Sequence, residues 1–215
     1  SQFMLTFGSD PNAKVTKKSK SPLSFHPIAL IFGLLSFVSY LVEGAVGDWS
    51  ALYLFEDKGI LIEEAVMGVM LFNGTMCIGR LLGNRLGKHL TSKQVVVGGY
   101  LLGSIAMGLI VFLPGHASMY TYLLLGISLA MIVPNLFSAM GEQNVIPMTQ
   151  AVATSTMLGY MGILMGPALI GFIAHGTSLT VAFIVLTTLL VVSAGIGKYA
   201  YHLMSKDCGL SEEQI

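Results

Sequence analysis

The residues of this chain with polar or reactive side chains in otherwise apolar surroundings recur at helical spacing. Tyr40, Glu43, Gly44 and Gly47 share one face of the first apolar stretch. Glu43 is the carboxylate set clearly inside such a stretch, about 24 Å along a helix that starts at Pro27 and so in the outer part of a membrane core. Removed from water, it reads either as a group that handles substrate or protons or as a structural partner to another helix. Asn73, Cys77 and Arg80 follow at i, i+4 and i+7 in the second stretch, with Asn73 near its middle and Arg80 near its far mouth. Ser128, Met131, Asn135, Ser138 and Glu142 repeat every three or four residues and predict one continuous polar seam. Such a seam lines an aqueous path or zips to a neighbour by hydrogen bonds, and the path is the working expectation. Glu142, at its end, reads as a solvated helix terminus. Thr156 and Tyr160 lie one turn apart in the fifth stretch, where a buried tyrosine hydroxyl needs a partner and a substrate is one candidate.

The elements that must position these residues are six apolar stretches: 27–54, 64–82, 95–113, 120–140, 151–175 and 179–203. Each approaches or exceeds the ~20 residues with which a helix crosses a ~30 Å hydrocarbon core. Charged residues make up 10% of the chain and mean hydropathy is +0.77, too oily for a soluble domain of this length. The expected class is therefore an all-α membrane protein with the lipid bilayer as its first partner. Lys14, Lys17, Lys18 and Lys20 precede the first span; Arg80, Arg85, Lys88 and Lys93 cluster between the second and third; Lys198 and Lys206 close the sixth. Only Lys58 lies opposite, among Glu56, Asp57, Glu63 and Glu64. Six crossings put the basic majority on one face, which the positive-inside rule makes cytoplasmic, with both termini there. The zero net charge conceals that asymmetry and gives no ground for a nucleic-acid partner.

The domain reading is a cytoplasmic linker over 1–23, a six-helix bundle over 24–205 and a cytoplasmic tail over 206–215. The start has no apolar core of a signal peptide and no initiating Met, and reads as a linker cut out of something longer. Cys77 within a span and Cys208 in the tail are not expected to bridge. No metal-ligand cluster or cofactor motif is present, so neither a metal nor a cofactor is expected. Spans three and six carry almost no polar side chains and are expected to be lipid-facing outer helices. Gly79/Gly83, Gly83/Gly87, Gly99/Gly103 and Gly162/Gly166 have the spacing that lets helix backbones approach in lipid. Pro134 and Pro167 lie inside spans and are expected to kink them. Trp49 reads as an interfacial anchor.

The run Gly79-Arg80-Leu81-Leu82-Gly83-Asn84-Arg85-Leu86-Gly87-Lys88-His89 is similar to the basic loop of the major facilitator superfamily, approximately G-x-x-x-D-R-x-G-R-R. Asn84 replaces the usual Asp, the leading Gly is displaced by one and His89 replaces the last basic residue, departures that suit the weaker second copy of that loop. Glu43-Gly44-Ala45-Val46-Gly47-Asp48-Trp49 resembles an EG-x-x-x-DW segment of the seventh helix in one bacterial subgroup. Gly159-Tyr160 followed by Gly166-Pro167 and Gly171 resembles that subgroup's eleventh helix. The resemblance implies the C-terminal six-helix half of a twelve-helix secondary transporter, moving a small molecule by alternating access, in a bacterial inner membrane and with an N-terminal six-helix half as partner. It implies no enzymatic activity. It also makes Tyr40, Glu43, Asn73, Cys77, Met131, Asn135, Ser138, Thr156 and Tyr160 candidates to line the pathway, with Glu43 the candidate for proton coupling. Gly83, Asn84, Arg85, Gly87 and Lys88 would form the conformational loop.

Two other readings fit six spans. An orphan half-transporter, inactive alone, has the same sequence features. A rhomboid-like intramembrane protease needs a G-x-S-G turn and a His on the sixth span; Gly126-Ile127-Ser128 is followed by Leu129, and the sixth span has no His before His202 at its end.

Overall fold

The protein, described here from a computed structural model over residues 26–86, 90–143 and 145–208, is helical throughout that range. Seven helices follow in order: α1 (Pro27–Glu56), α2 (Ile62–Leu86), α3 (Ser92–Phe112), α4 (Gly115–Ala130), α5 (Ile132–Glu142), α6 (Met148–Gly176) and α7 (Leu179–Cys208). They make six segments long and apolar enough to cross a membrane, α4 and α5 together forming the fourth. The expected linker over 1–23 lies outside the described residues, as does the expected tail beyond 208, and residues 206–208 are the last of α7.

Local sequence sets the helix ends. The His26 ring nitrogen accepts from the Ile28 N–H at 3.4 Å, and Pro27 occupies the first helical position, where its missing N–H leaves no bond unmade. Thr91 and Gln94 form a reciprocal capping box at the start of α3. Gly59 supplies the left-handed turn (φ 67°) that reverses the chain between α1 and α2. On the same outer side, Lys58 Nζ donates to the Val111 carbonyl at 2.6 Å, satisfying an orphan acceptor near the end of α3. Partial burial there holds the Lys58 pKa below that of a free lysine, against the opposing pull of Asp57.

The central helix is α1. It is buried on most sides and packs against α2, α4, α5, α6 and α7. At 30 residues it runs ~45 Å, longer than the ~30 Å hydrocarbon core. Glu43 is the seventeenth of its thirty residues, ~24 Å along the helix from Pro27.

Two sequence expectations need correction. The fourth span is not one helix with a continuous polar seam. It breaks at Met131, and Pro134 falls in the first turn of α5, where a proline forfeits no intrahelical bond. The Asn135 amide turns back to the Met131 carbonyl at 2.8 Å, while Ser128 is buried and donates to its own helix at Leu125, 2.7 Å away. The seam is thereby split into a buried part and a part, with Ser138 and Glu142, that is exposed. Spans three and six also do more than face lipid. Tyr100 of α3 is fully buried, donates to the Leu35 carbonyl at 2.7 Å and lies 2.8 Å from the Ser39 hydroxyl, fixing α3 to α1. Tyr201 of α7 meets the edge of Phe32 at 5.4 Å. Their outer faces, with Ile105, Phe112, Val191 and Val192, are exposed.

Candidate substrate pathway

The site begins with a close approach of α1 and α6. A Cβ on Gly162 or Gly166 would overlap the carbonyl oxygens of Phe37 and Leu41. From the other side, a Cβ on Gly44 would lie 2.7 Å from the Ile163 carbonyl oxygen. That carbonyl is free of its usual donor because Pro167, four residues on, has no N–H. Only glycine permits such backbone contact, and in lipid it substitutes for a hydrophobic driving force. Trp49 closes the pair at its outer end. Its Nε1 donates to the Pro167 carbonyl at 2.9 Å, and its ring covers Gly171, where a Cβ would be 2.8 Å away. The indole thus clamps the two helices together.

This pairing presents Tyr40 and Tyr160 side by side, their rings parallel within 5° and 6.4 Å apart. Gly159 makes room, since a Cβ there would stand 2.6 Å from the Tyr40 ring. Within these six spans Tyr160 is 65% exposed. One turn along α1 from Tyr40, Glu43 forms an ion pair with Arg80 of α2, Nη2 to Oε2 at 3.1 Å. The Glu43 side chain is 21% exposed and that of Arg80 43%, so the pair lies at the rim of the bundle, open on one side. Tyr40 lies within electrostatic reach of Glu43, Arg80 and Tyr160, which makes the four residues one cluster.

The other candidates divide. Asn73 and Cys77 are exposed along α2 on the Arg80 side of that helix, and the Asn73 amide rests on its own Val69 carbonyl at 3.0 Å. Thr156 is half-buried on α6, one turn before Tyr160. Met131 is taken up in packing, its sulfur standing where a Cβ on Gly83 would have to go. Asn135 is half-buried and spends its amide at the helix break, whereas Ser138 is exposed on α5. Of the conformational loop, Gly83 is buried in α2, and Asn84 and Arg85 lie on its last turn. Gly87 and Lys88 fall outside the described residues.

Sequence reasoning named Glu43 and Arg80 separately and missed their pairing. The signal was available: opposite charges set within neighbouring antiparallel spans rarely remain apart in a low-dielectric medium. The Trp49 clamp and the Tyr100 hydroxyl bonds had no comparable signal, because each depends on a helix far away in sequence.

No protein-family model matches the chain. An uncharacterized MFS-type transporter of Yersinia pestis is 41% identical over 168 residues, covering 77% of this chain and 43% of its own length. Membrane protein MosC of Rhizobium meliloti is 30% identical over 170 residues, 78% of this chain and 42% of that protein. The chain therefore spans about two fifths of the length of the curated relatives it matches. Among solved structures, the E. coli fucose:proton symporter FucP superposes with a TM-score of 0.70 at 16% identity, over 80% of this chain and 42% of the symporter. A peptide transporter POT, in complex with alafosfalin, gives 0.68 at 15% identity, over 85% of this chain and 39% of that one. At such identities the structural likeness is one of fold alone. Sequence and fold together place the chain in the major facilitator superfamily, with six transmembrane helices arranged as in part of a solved transporter of that architecture.

Proposed function

We propose that this chain forms the C-terminal half of a secondary active transporter that moves a small solute by alternating access. In this reading both termini face the cytoplasm of a bacterial cell, the N-terminal six-helix half covers the open face of α1, α2 and α6, and Tyr40, Glu43, Arg80 and Tyr160 line the path between the halves. The observation that carries it is the Glu43–Arg80 pair beside two parallel tyrosines, near mid-helix on α1 and partly exposed on a side that no described helix covers. An ion pair held partly open to a cavity can exchange one partner for a proton or a substrate group, whereas a fully packed pair cannot. Two further features support the reading: transporters are among the sequence relatives, and their length leaves room for a second half.

Coupling is assigned to Glu43. When Glu43 takes a proton, Arg80 loses its counter-charge, and the two states of the pair offer different contacts to the two conformations of the path. In liposomes containing the full-length protein, Glu43→Gln should abolish the pH dependence of substrate uptake while the protein still folds. Unaltered uptake with an unaltered pH profile would return Glu43 to a packing role. Uptake by a purified, demonstrably monomeric six-helix chain would contradict the need for a second half.

A further inference from the structure

Among the described residues four buried hydroxyls have no hydrogen-bond partner, and three of them fall together. Ser50 and Tyr53 come from the last two turns of α1, and Tyr122 comes from the first half of α4. All three side chains are fully buried. Tyr122 lies beside both of the others, with the Ser50 hydroxyl within reach of its own and Tyr53 within electrostatic reach. Neighbouring helices close the site. Tyr53 stacks on Phe183 of α7 with ring centroids 4.2 Å apart, and Lys58 Nζ stands 5.3 Å from the centroid of the Tyr53 ring. A Cβ on Gly68 of α2 would lie 3.6 Å from the Tyr122 ring. The loops at this end, over 57–61, 113–114 and 177–178, are all described.

These neighbours leave the hydroxyls short of partners. Thr180 is also near Tyr53, but its hydroxyl donates to Asp57 Oδ1 at 2.8 Å. A single bond between Ser50 and Tyr122 would leave one proton of that pair, and the Tyr53 hydroxyl, unspent. Ser50 also forgoes the bond to its own helix that Ser36 makes to the Phe32 carbonyl at 3.1 Å. Burying a hydroxyl without a partner is costly, and an ordered water making about three hydrogen bonds is the usual remedy. Water suits three neutral hydroxyls because, like them, it both donates and accepts. We infer that Ser50, Tyr53 and Tyr122 bind one internal water molecule, which joins α1 to α4. The inference makes no use of transport, so the two readings can fail separately.

The test is radiolytic labelling of the full-length protein, in which an X-ray pulse turns bound water into hydroxyl radicals that oxidise the side chains touching it. Mass spectrometry reads the oxidation. Tyr100 is the internal reference, because it is equally buried but its hydroxyl donates to the Leu35 carbonyl at 2.7 Å. Tyr53 and Tyr122 should be oxidised several-fold faster than Tyr100. Ser50→Ala with Tyr122→Phe removes two of the three anchors, and oxidation of Tyr53 should then fall to the Tyr100 rate. Thermal melts give a second reading. Tyr53→Phe and Tyr122→Phe should each lower the melting temperature, and the double variant should lose less than the two losses combined, because the water leaves with the first. Oxidation of Tyr53 and Tyr122 no faster than that of Tyr100 would overturn the proposal, as would Tyr53 oxidation that survives loss of the two anchors. A higher melting temperature for either single variant would overturn it by showing hydroxyls buried without a partner. Additive losses would do so by showing separate contacts in place of a shared water.

Discussion

Single side chains do two different jobs at the α1–α6 seam. Glu43 and Tyr40 face the open side, while Trp49, two turns further on, locks the helices together through the Pro167 carbonyl. An interhelical hydrogen bond in a membrane contributes only ~0.6 kcal/mol on average. Trp49→Phe, which keeps most of the ring on Gly171, should therefore lower the melting temperature of the detergent-solubilised protein only slightly. Trp49→Ala removes the ring as well and should cost about 3–5 kcal/mol, enough to reduce the yield of folded protein. Equal effects of the two substitutions would mean that the hydrogen bond, rather than the ring on Gly171, dominates. The sequence made Glu43 and Arg80 legible as charged residues inside spans, because an apolar background isolates them. It left Trp49 ambiguous, since an indole near a membrane surface is ordinary and its partner lies 118 residues away.

At the scale of elements, the glycines decide which helices move together. Gly44, Gly162 and Gly166 bring the backbones of α1 and α6 into contact, and Gly159 seats the Tyr40 ring. Gly162→Ala places a methyl group against the Phe37 carbonyl, and this overpacking should cost about 1–3 kcal/mol. Gly195→Ala on α7, where a Cβ meets nothing within 4 Å, should be neutral or gain up to ~1 kcal/mol from helix propensity. Thermal melts of both variants check this pair of outcomes, and equal melts would show that α1 and α6 are not held as tightly as their glycines require. The six spans were legible from hydropathy because lipid forces every backbone group into a helix. The break at Met131 was not: Pro134 marks a possible kink, but its place in the first turn of a new helix depends on how α4 packs against α2 and α3. Likewise, the scarcity of polar residues in α3 concealed Tyr100, a residue that is apolar over most of its surface and bonds through one atom.

For the whole molecule, the open face of α1, α2 and α6 is the feature that demands an explanation. Met70, Cys77 and Arg80 on α2 are exposed, as are Tyr160 and Leu164 on α6. The charge asymmetry and the order of spans were readable from sequence, because each depends only on composition along the chain. What covers this face came only through the family resemblance, which implies an N-terminal half, and the chain spans about two fifths of its curated relatives. The account holds that a second six-helix half covers it and that water enters between the halves. The most direct measurement is the reaction of Cys77 with a charged, membrane-impermeant thiol reagent, in native membranes containing the full-length protein with its other cysteines replaced by serine. A thiol reacts as its thiolate and therefore needs water, which lipid and a dry helix interface both deny it. The account predicts that Cys77 is modified in intact membranes, from at least one side, as the path opens. Modification only after the protein is unfolded in detergent would contradict an aqueous path along α2 and the account built on it.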